Sequence, residues 1–163
     1  MTPAPPCALK SFALDAQEGR TQQPIDVLGS EMLVKLADQD SGGGNLAIFH
    51  QNVPPMSGPP LHRHSREDEW FYNLEGQVTF QVDGKQIILR AGASAFTPRG
   101  TTHTFQNFGP ATARMLVIVT PGSFQRFFEE LSSVNRGLST PDLVRTERLM
   151  KEYGVEPLGP PLS

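Results

Sequence analysis

An all-β domain followed by C-terminal helices is the fold class this chain predicts, on three observations. Glycine and proline number 15 each among 163 residues, well above the about 12% that the two types together average. That bias favours short strands and many turns. Apolar and polar residues alternate through the middle of the chain, as in Gln77-Val-Thr-Phe-Gln-Val82, the period of a half-buried strand. After Pro121-Gly-Ser123 the period becomes helical, with Phe124, Phe127, Phe128, Leu131 and Val134 recurring on one face.

The elements follow in order. Residues 1–8 read as a flexible tail, and residues 1–30 together as an N-terminal tail and arm. Glu31 to Ala37 alternates through Met32, Val34 and Leu36 and reads as a strand, with Asp38 to Gly44 as its turn. Asn45 to Val53 is the next strand. Pro54 to Pro60 is a stiff, extended linker, because each proline fixes φ and removes a donor. From Glu69 the strand signals strengthen, and Glu69, Phe71 and Asn73 share a face by parity. Asp83-Gly84 has the composition of a two-residue hairpin turn between Gln77–Val82 and Gln86–Arg90. Ser94 to Thr97 is short, and Pro98-Arg-Gly100 turns the corner toward His103, Phe105 and Asn107, which share a face. Met115 to Thr120 is apolar on both faces and reads as a central, fully covered strand.

Ser123 is the expected N-cap of the first helix. A second helix is expected from Thr140, with Pro141 at its first position, to Tyr153, where Gly154 and Pro157 stop it. The aromatic stripe reads first as packing against the sheet, with a lid at the barrel mouth as the alternative. The expected division is a barrel over 31–122 and a helical extension over 123–163.

Composition narrows the function classes. The length suits one domain with a proper core. Net charge is -3, so nothing points to nucleic acid. No run approaches the length of an apolar membrane span, and the N-terminus lacks the charged start and apolar stretch of a secretion signal. The single cysteine precludes an internal disulfide and fits a reducing compartment. A soluble cytoplasmic protein is the expectation.

The chemistry concentrates in two stretches. His62, His64 and Glu69 lie in the first, and His103 in the second. Strand alternation points His62 and His64 the same way, a short turn returns Glu69 beside them, and a third strand supplies His103. Imidazole and carboxylate together suit a divalent transition metal: Fe, Mn, Ni, Cu, Co or Zn. Four protein ligands leave room for water, dioxygen or substrate on an ion that expands its coordination. A closed tetrahedral zinc site usually uses cysteine, and Cys7 sits in a proline-rich tail.

These stretches resemble the two sequence motifs of the cupin superfamily. His62, His64, Glu69 and Gly76 match the first motif, whose opening glycine is replaced by Met56, with Gly58 two residues later. Gly92, Pro98, Gly100, His103 and Asn107 match every position of the second. The resemblance covers roughly Ala47 to Thr120 and one motif pair, implying a single double-stranded β-helix, or jelly-roll, barrel. It implies one metal bound inside the barrel by His62, His64, Glu69 and His103.

The runs Glu69 to Gly76 and Pro98 to His103 look most like the small proteins grouped with quercetin dioxygenase. That likeness implies a metal-dependent dioxygenase of a small oxygenated aromatic or enolic compound. The ion would chelate the substrate, Glu69 would double as the proton acceptor, and O2 would be the second substrate. A metal-dependent isomerase, lyase or decarboxylase, and a non-catalytic small-molecule sensor, are the alternatives.

Phe71, Asn73, Phe96, Phe105 and Asn107 are the candidate pocket residues, although a loop-holding hydrogen bond suits Asn107 equally well. His50 reads as a satisfied polar residue and Arg99 as a solvated loop residue. At least one of Glu67 and Asp68 is expected to face water. Trp70 faces away from Glu69, so a homodimer contact is expected there.

Overall fold

The computed structural model describes residues 9–163, so the expected tail over residues 1–8, with Cys7, lies outside the described residues. Eleven strands and two α-helices follow: β1 (Ile25–Val27), β2 (Ser30–Leu36), β3 (Ala47–Val53), β4 (Leu61–His64), β5 (Asp68–Glu75), β6 (Gln77–Val82), β7 (Lys85–Arg90), β8 (Ser94–Thr97), β9 (His103–Gln106), β10 (Ala113–Thr120), α1 (Gln125–Asn135), α2 (Leu143–Glu152) and β11 (Val155–Gly159). They form two sheets, a six-stranded one in the order β1-β2-β3-β10-β5-β8 and a five-stranded one in the order β11-β4-β9-β6-β7. Neighbouring strands run antiparallel, as in β10 against β3 and β5 and in β9 against β4 and β6. This is a double-stranded β-helix.

Local chemistry explains the elements that set the register. Asp83 and Gly84 take φ of 46° and 79°. Two consecutive positive values are what a tight turn matched to strand twist demands. The turn locks β6 to β7 with Val82 opposite Lys85 and Gln77 opposite Arg90. Alternation then sends Val78 and Phe80 inward, where both are fully buried. Phe49, Met32, Val34, Val53, Met115 and Val119 meet them from the other sheet. Each such side chain contributes roughly 1.5–3 kcal/mol by leaving water.

β10 is central, between β3 and β5, but it is covered on one face only. Ala113, Met115, Val117 and Val119 are buried, whereas Leu116 and Ile118 are partly exposed on the outer face. Apolar character on both faces therefore does not report cover on both sides here.

The C-terminal segment departs further from expectation. Ser123 lies inside a short 3-10 turn, Gly122–Phe124, and Phe124 occupies the cap position of α1 without a side-chain cap. The second helix begins after Asp142, whose carboxylate accepts from the Arg145 amide at 3.0 Å. That charged N-cap displaces the start from the expected Thr140-Pro141. Beyond the helix the chain returns as β11, which pairs with β4, Val155 opposite His64 and Pro157 opposite His62. A proline is tolerated because β11 is the edge of its sheet. The extension is thus helical and β together, and it covers the strand that carries two of the candidate ligands.

Candidate metal centre

His62 and His64 leave β4 on the same side, Glu69 leaves β5 and His103 leaves β9. His62 lies directly opposite His103 across the β4–β9 ladder. All four side chains are buried, and one candidate ligand atom from each lies within 4.8 Å of the others. Opposite ligands on an ion at about 2.1 Å stand up to about 4.2 Å apart, so a modest closing of the cluster meets a metal's requirement.

The outer nitrogens are already committed. Nδ1 of His62 donates to the Pro60 carbonyl oxygen at 2.8 Å, and Nδ1 of His103 to the Thr101 carbonyl oxygen at 3.1 Å. Each bond comes from a carbonyl two residues upstream, on the turn that delivers the strand. A carbonyl accepts only from N–H, so it orients the ring and directs Nε2 to the cluster. The third imidazole is held differently. Nδ1 of His64 faces Glu67 Oε2 at 3.4 Å, and both side chains are buried. Inside the cluster Glu69 Oε2 lies 2.9 Å from His103 Nε2 and 3.4 Å from His64 Nε2.

Burial pushes Glu69 toward its neutral form, but the facing His64, His103 and His62 outweigh it and hold the carboxyl at about 2. Burial, reinforced by the other two imidazoles, lowers His62 to about 3. The cluster therefore presents an ionised carboxylate and a neutral imidazole at neutral pH, the forms that bind metal. Its donor set fits a divalent transition metal.

The cluster opens into a cavity of about 270 Å³. Phe71, Phe105, Val117 and Met32 line it from the barrel. Phe127, Phe128, Leu131, Met150 and Val155 line it from the C-terminal extension. The helical stripe thus packs on the sheet and walls the cavity at once. Phe124 also stands edge-on to His64, with ring centroids 4.8 Å apart.

The other expected pocket residues sit elsewhere. Phe96 is 59% exposed. Its cross-strand partner is Trp70, while Thr97 pairs with Glu69, so the β5–β8 register turns Phe96 outward. Asn73 is buried but donates to the Gly76 and Leu89 carbonyls. Asn107 donates to Val53 and Ala111 and accepts from the Gly109 amide. Both asparagines hold backbone and neither reaches the cavity wall.

His50 lies on the outer face of β3, half-buried, with an unpartnered Nδ1 rather than a satisfied one. Arg99 is tied to Asp68 at 2.8 Å near solvent. Gln51, Gln106 and Glu67 are the site residues that sequence reasoning did not place; for Glu67 the signal was a carboxylate one turn from a ligand histidine.

A cupin-domain family model matches residues 49–119, the stretch that holds all four candidate ligands. An oxalate-binding protein from Thermotoga maritima is 34% identical over 92 residues, covering 56% of this chain and 76% of that protein. The chain belongs to the cupin superfamily. A quercetin 2,3-dioxygenase from Bacillus subtilis is 28% identical over 126 residues, or 76% of this chain. This chain spans 37% of that protein's length. Among solved structures, a predicted oxalate decarboxylase from Thermotoga maritima superposes with a TM-score of 0.53 at 28% identity, over 56% of this chain and 79% of that one. Cupins with such different activities share this barrel, so the activity has to be argued from the site.

Proposed function

We propose that this cupin is a metal-dependent dioxygenase of a small oxygenated aromatic or enolic compound, with His62, His64, Glu69 and His103 as the ligands of one divalent transition-metal ion. The observation that carries the reading is the junction of the buried His/Glu cluster with an apolar, aromatic-walled cavity. When bound, the ion supplies a Lewis acid for the substrate's oxygens and, where redox-active, an electron source for oxygen chemistry. Phe71, Phe105 and Phe127 flank a planar substrate body, and the extension keeps water from the reacting atoms.

Glu69 is the one carboxylate on the cavity wall among the described residues. It receives the substrate hydroxyl proton at Oε1, the oxygen that does not face His103. At about 270 Å³ the cavity lies below the roughly 300–1,000 Å³ of drug-sized sites. That size favours single-ring compounds over polycyclic flavonols.

The deciding experiment is oxygen-electrode measurement with protein loaded in turn with iron, manganese, nickel, copper and zinc, offered catechols and small cyclic enols. Oxygen uptake with a redox-active ion and none with zinc is the expected result. Substrate turnover without oxygen uptake would replace this reading with an isomerase, lyase or decarboxylase, and tight binding without turnover would replace it with a sensor.

Two properties complete the proposal. Among the described residues no helix is long and apolar enough to cross a membrane, and we place the protein in the cytoplasm. We place a homodimer contact on the outer face of β5 and β8. There Trp70 and Tyr72 stack with centroids 5.6 Å apart, and Phe96 lies beside them.

A further inference from the structure

Resting on the ligand class proposed above, we infer that Gln51, seconded by Ser30, is a second polar end of the cavity and recognises a hydrogen-bonding group on the ligand remote from the oxygens that meet the cluster. Strand parity sets the direction of both side chains. On β3, Ala47, Phe49, Gln51 and Val53 are buried and the residues between them are only partly so. Gln51 therefore stands in a row of core side chains. Its cross-strand neighbours are Met32 on β2 and Met115 on β10, both in the core. Ser30 shares the inward face of β2 with Met32 and Val34. Gln51 and Ser30 line the cavity and are 7% and 5% exposed. Neither the carboxamide nor the hydroxyl has a hydrogen-bond partner among the described residues, and neither is among the sealed polar atoms of the interior. The hydroxyl of Thr146, also on the wall, is by contrast taken by Asn135 at 3.1 Å. In a purely structural role, an apolar side chain like Met32 or Met115 would fill the Gln51 position without leaving polar atoms unpaired.

The pair sits away from the cluster. On β10, Met115 is opposite Gln51 and Val119 is opposite Glu69, a separation of roughly 13 Å along the strand. Val117 and its partner Phe71 fill the wall between these levels. Leu28 and Met56 line the cavity and are exposed, so they mark its mouth. Leu28 lies in the turn that leads into Ser30, and Met56 follows the end of β3. The cluster is thus the deep end, and Gln51 lies between it and the mouth. A ligand whose oxygens meet the cluster points its trailing end at Gln51. Solvent entering a cavity hydrogen-bonds such a carboxamide, and a ligand that displaces it without replacing those bonds loses affinity. Gln51 offers both donors and an acceptor. A hydroxyl or amide at the trailing end is accepted, and an alkyl group in the same place is penalised. The ligand so described is a single ring with adjacent oxygens at one end and a short, hydrogen-bonding substituent at the other.

The test compares ethylcatechol and hydroxyethylcatechol, each substituted para to one ring hydroxyl, which differ by a single side-chain hydroxyl. Both are titrated by calorimetry, without oxygen, into the full chain loaded with zinc. The hydroxylated compound is expected to bind about fivefold tighter. In Gln51→Met, whose side chain has nearly the same length, that preference is expected to be lost, with zinc uptake unchanged and the melting temperature equal or higher. Ser30→Ala is expected to reduce the preference about twofold. In the parent protein the side-chain amide resonances of Gln51 are expected to shift more with the hydroxylated compound than with the alkyl one, a readout that needs no variant to fold. Equal affinities for the two compounds in the parent protein, or a preference that survives in Gln51→Met, overturns the recognition by Gln51 and leaves the metal-centre reading standing. Zinc uptake without binding of either compound overturns the proposed ligand class, absence of zinc uptake overturns the metal centre, and the inference falls with either.

Discussion

Glu67 holds a carboxylate oxygen 3.4 Å from Nδ1 of His64, with both side chains buried. The other two imidazoles lean on backbone carbonyls, so His64 alone is backed by a charge. Neither atom has a well-aligned hydrogen bond in this geometry. Burial lowers the His64 pKa, but Glu69 and then Glu67 overcome it and leave the value raised. A carboxylate behind a ligand histidine orients the ring and strengthens it as a donor, and its loss typically costs about 10–100-fold in metal affinity. Glu67→Gln is therefore expected to weaken zinc binding by about that factor in a chelator competition, with the circular-dichroism spectrum unchanged. An unaltered affinity would reduce Glu67 to a packing residue.

Acidification is expected to destabilise the ion-free protein in two overlapping windows. His62 has a folded value of about 3 against 6.5 for a free imidazole. Below 6.5 the unfolded chain takes up a proton that the folded chain refuses, so stability falls with pH until about 3. Glu69, at about 2 against 4.5, adds stability that is present above 4.5 and lost as pH falls toward 2. His64, whose value is raised, works in the opposite sense: its contribution is complete below 6.5 and is lost as pH rises through its folded value. The net expectation is a melting temperature that drops from about pH 6.5 to about pH 4 in the presence of EDTA, read by scanning calorimetry. A flat profile over that range would mean that the imidazoles rearrange to accept protons without cost.

The candidate ligands were legible in the sequence because strand parity and the cupin motifs act on the same residues. His62 and His64 are two apart on one strand, so their shared direction needs no knowledge of the neighbours. Phe96 was not legible, because its direction depends on how β8 registers against β5, and a four-residue strand does not declare that register. Asn73 and Asn107 face inward as parity requires, but short amides beside a bulge or turn bond backbone rather than reaching a cavity. Glu67 lies in a turn, where no period exists to assign a direction. The helical stripe declared a buried face without saying what it buries against, which is why a lid and ordinary packing could not be separated. β11 is short and holds a proline, and only its pairing with β4 makes it a strand.

The dual role of that stripe is testable at Phe127. Its ring is buried, stacks on Phe124 at 4.8 Å and tilts against Tyr153 at 5.6 Å, and it also lines the cavity. Phe127→Ala is expected to cost about 3 kcal/mol, the low end for such a truncation because one side of the ring already faces a void. Urea unfolding would read this as a lower midpoint. Zinc stoichiometry is expected to persist, since Phe127 contacts no candidate ligand ring in the way that Phe124 meets His64. Loss of zinc together with stability would show that the extension is needed to hold the cluster itself.

The outer face of β5 and β8 supplies the last prediction. Trp70 and Phe96 are cross-strand partners there, with Tyr72 stacked on Trp70, and Leu116 and Ile118 continue the apolar surface onto β10. The homodimer proposed above would use this face about a two-fold axis, with the same patch on each protomer. Light scattering at micromolar concentration is expected to give twice the 17.9 kDa chain mass. Phe96→Glu places a carboxylate in the patch of each protomer, and burying it unpaired is costly. That variant is expected to run as a folded monomer with its zinc content intact, because Phe96 points away from the cluster. A parent protein that is already monomeric would remove the interface and leave the aromatic face without a partner.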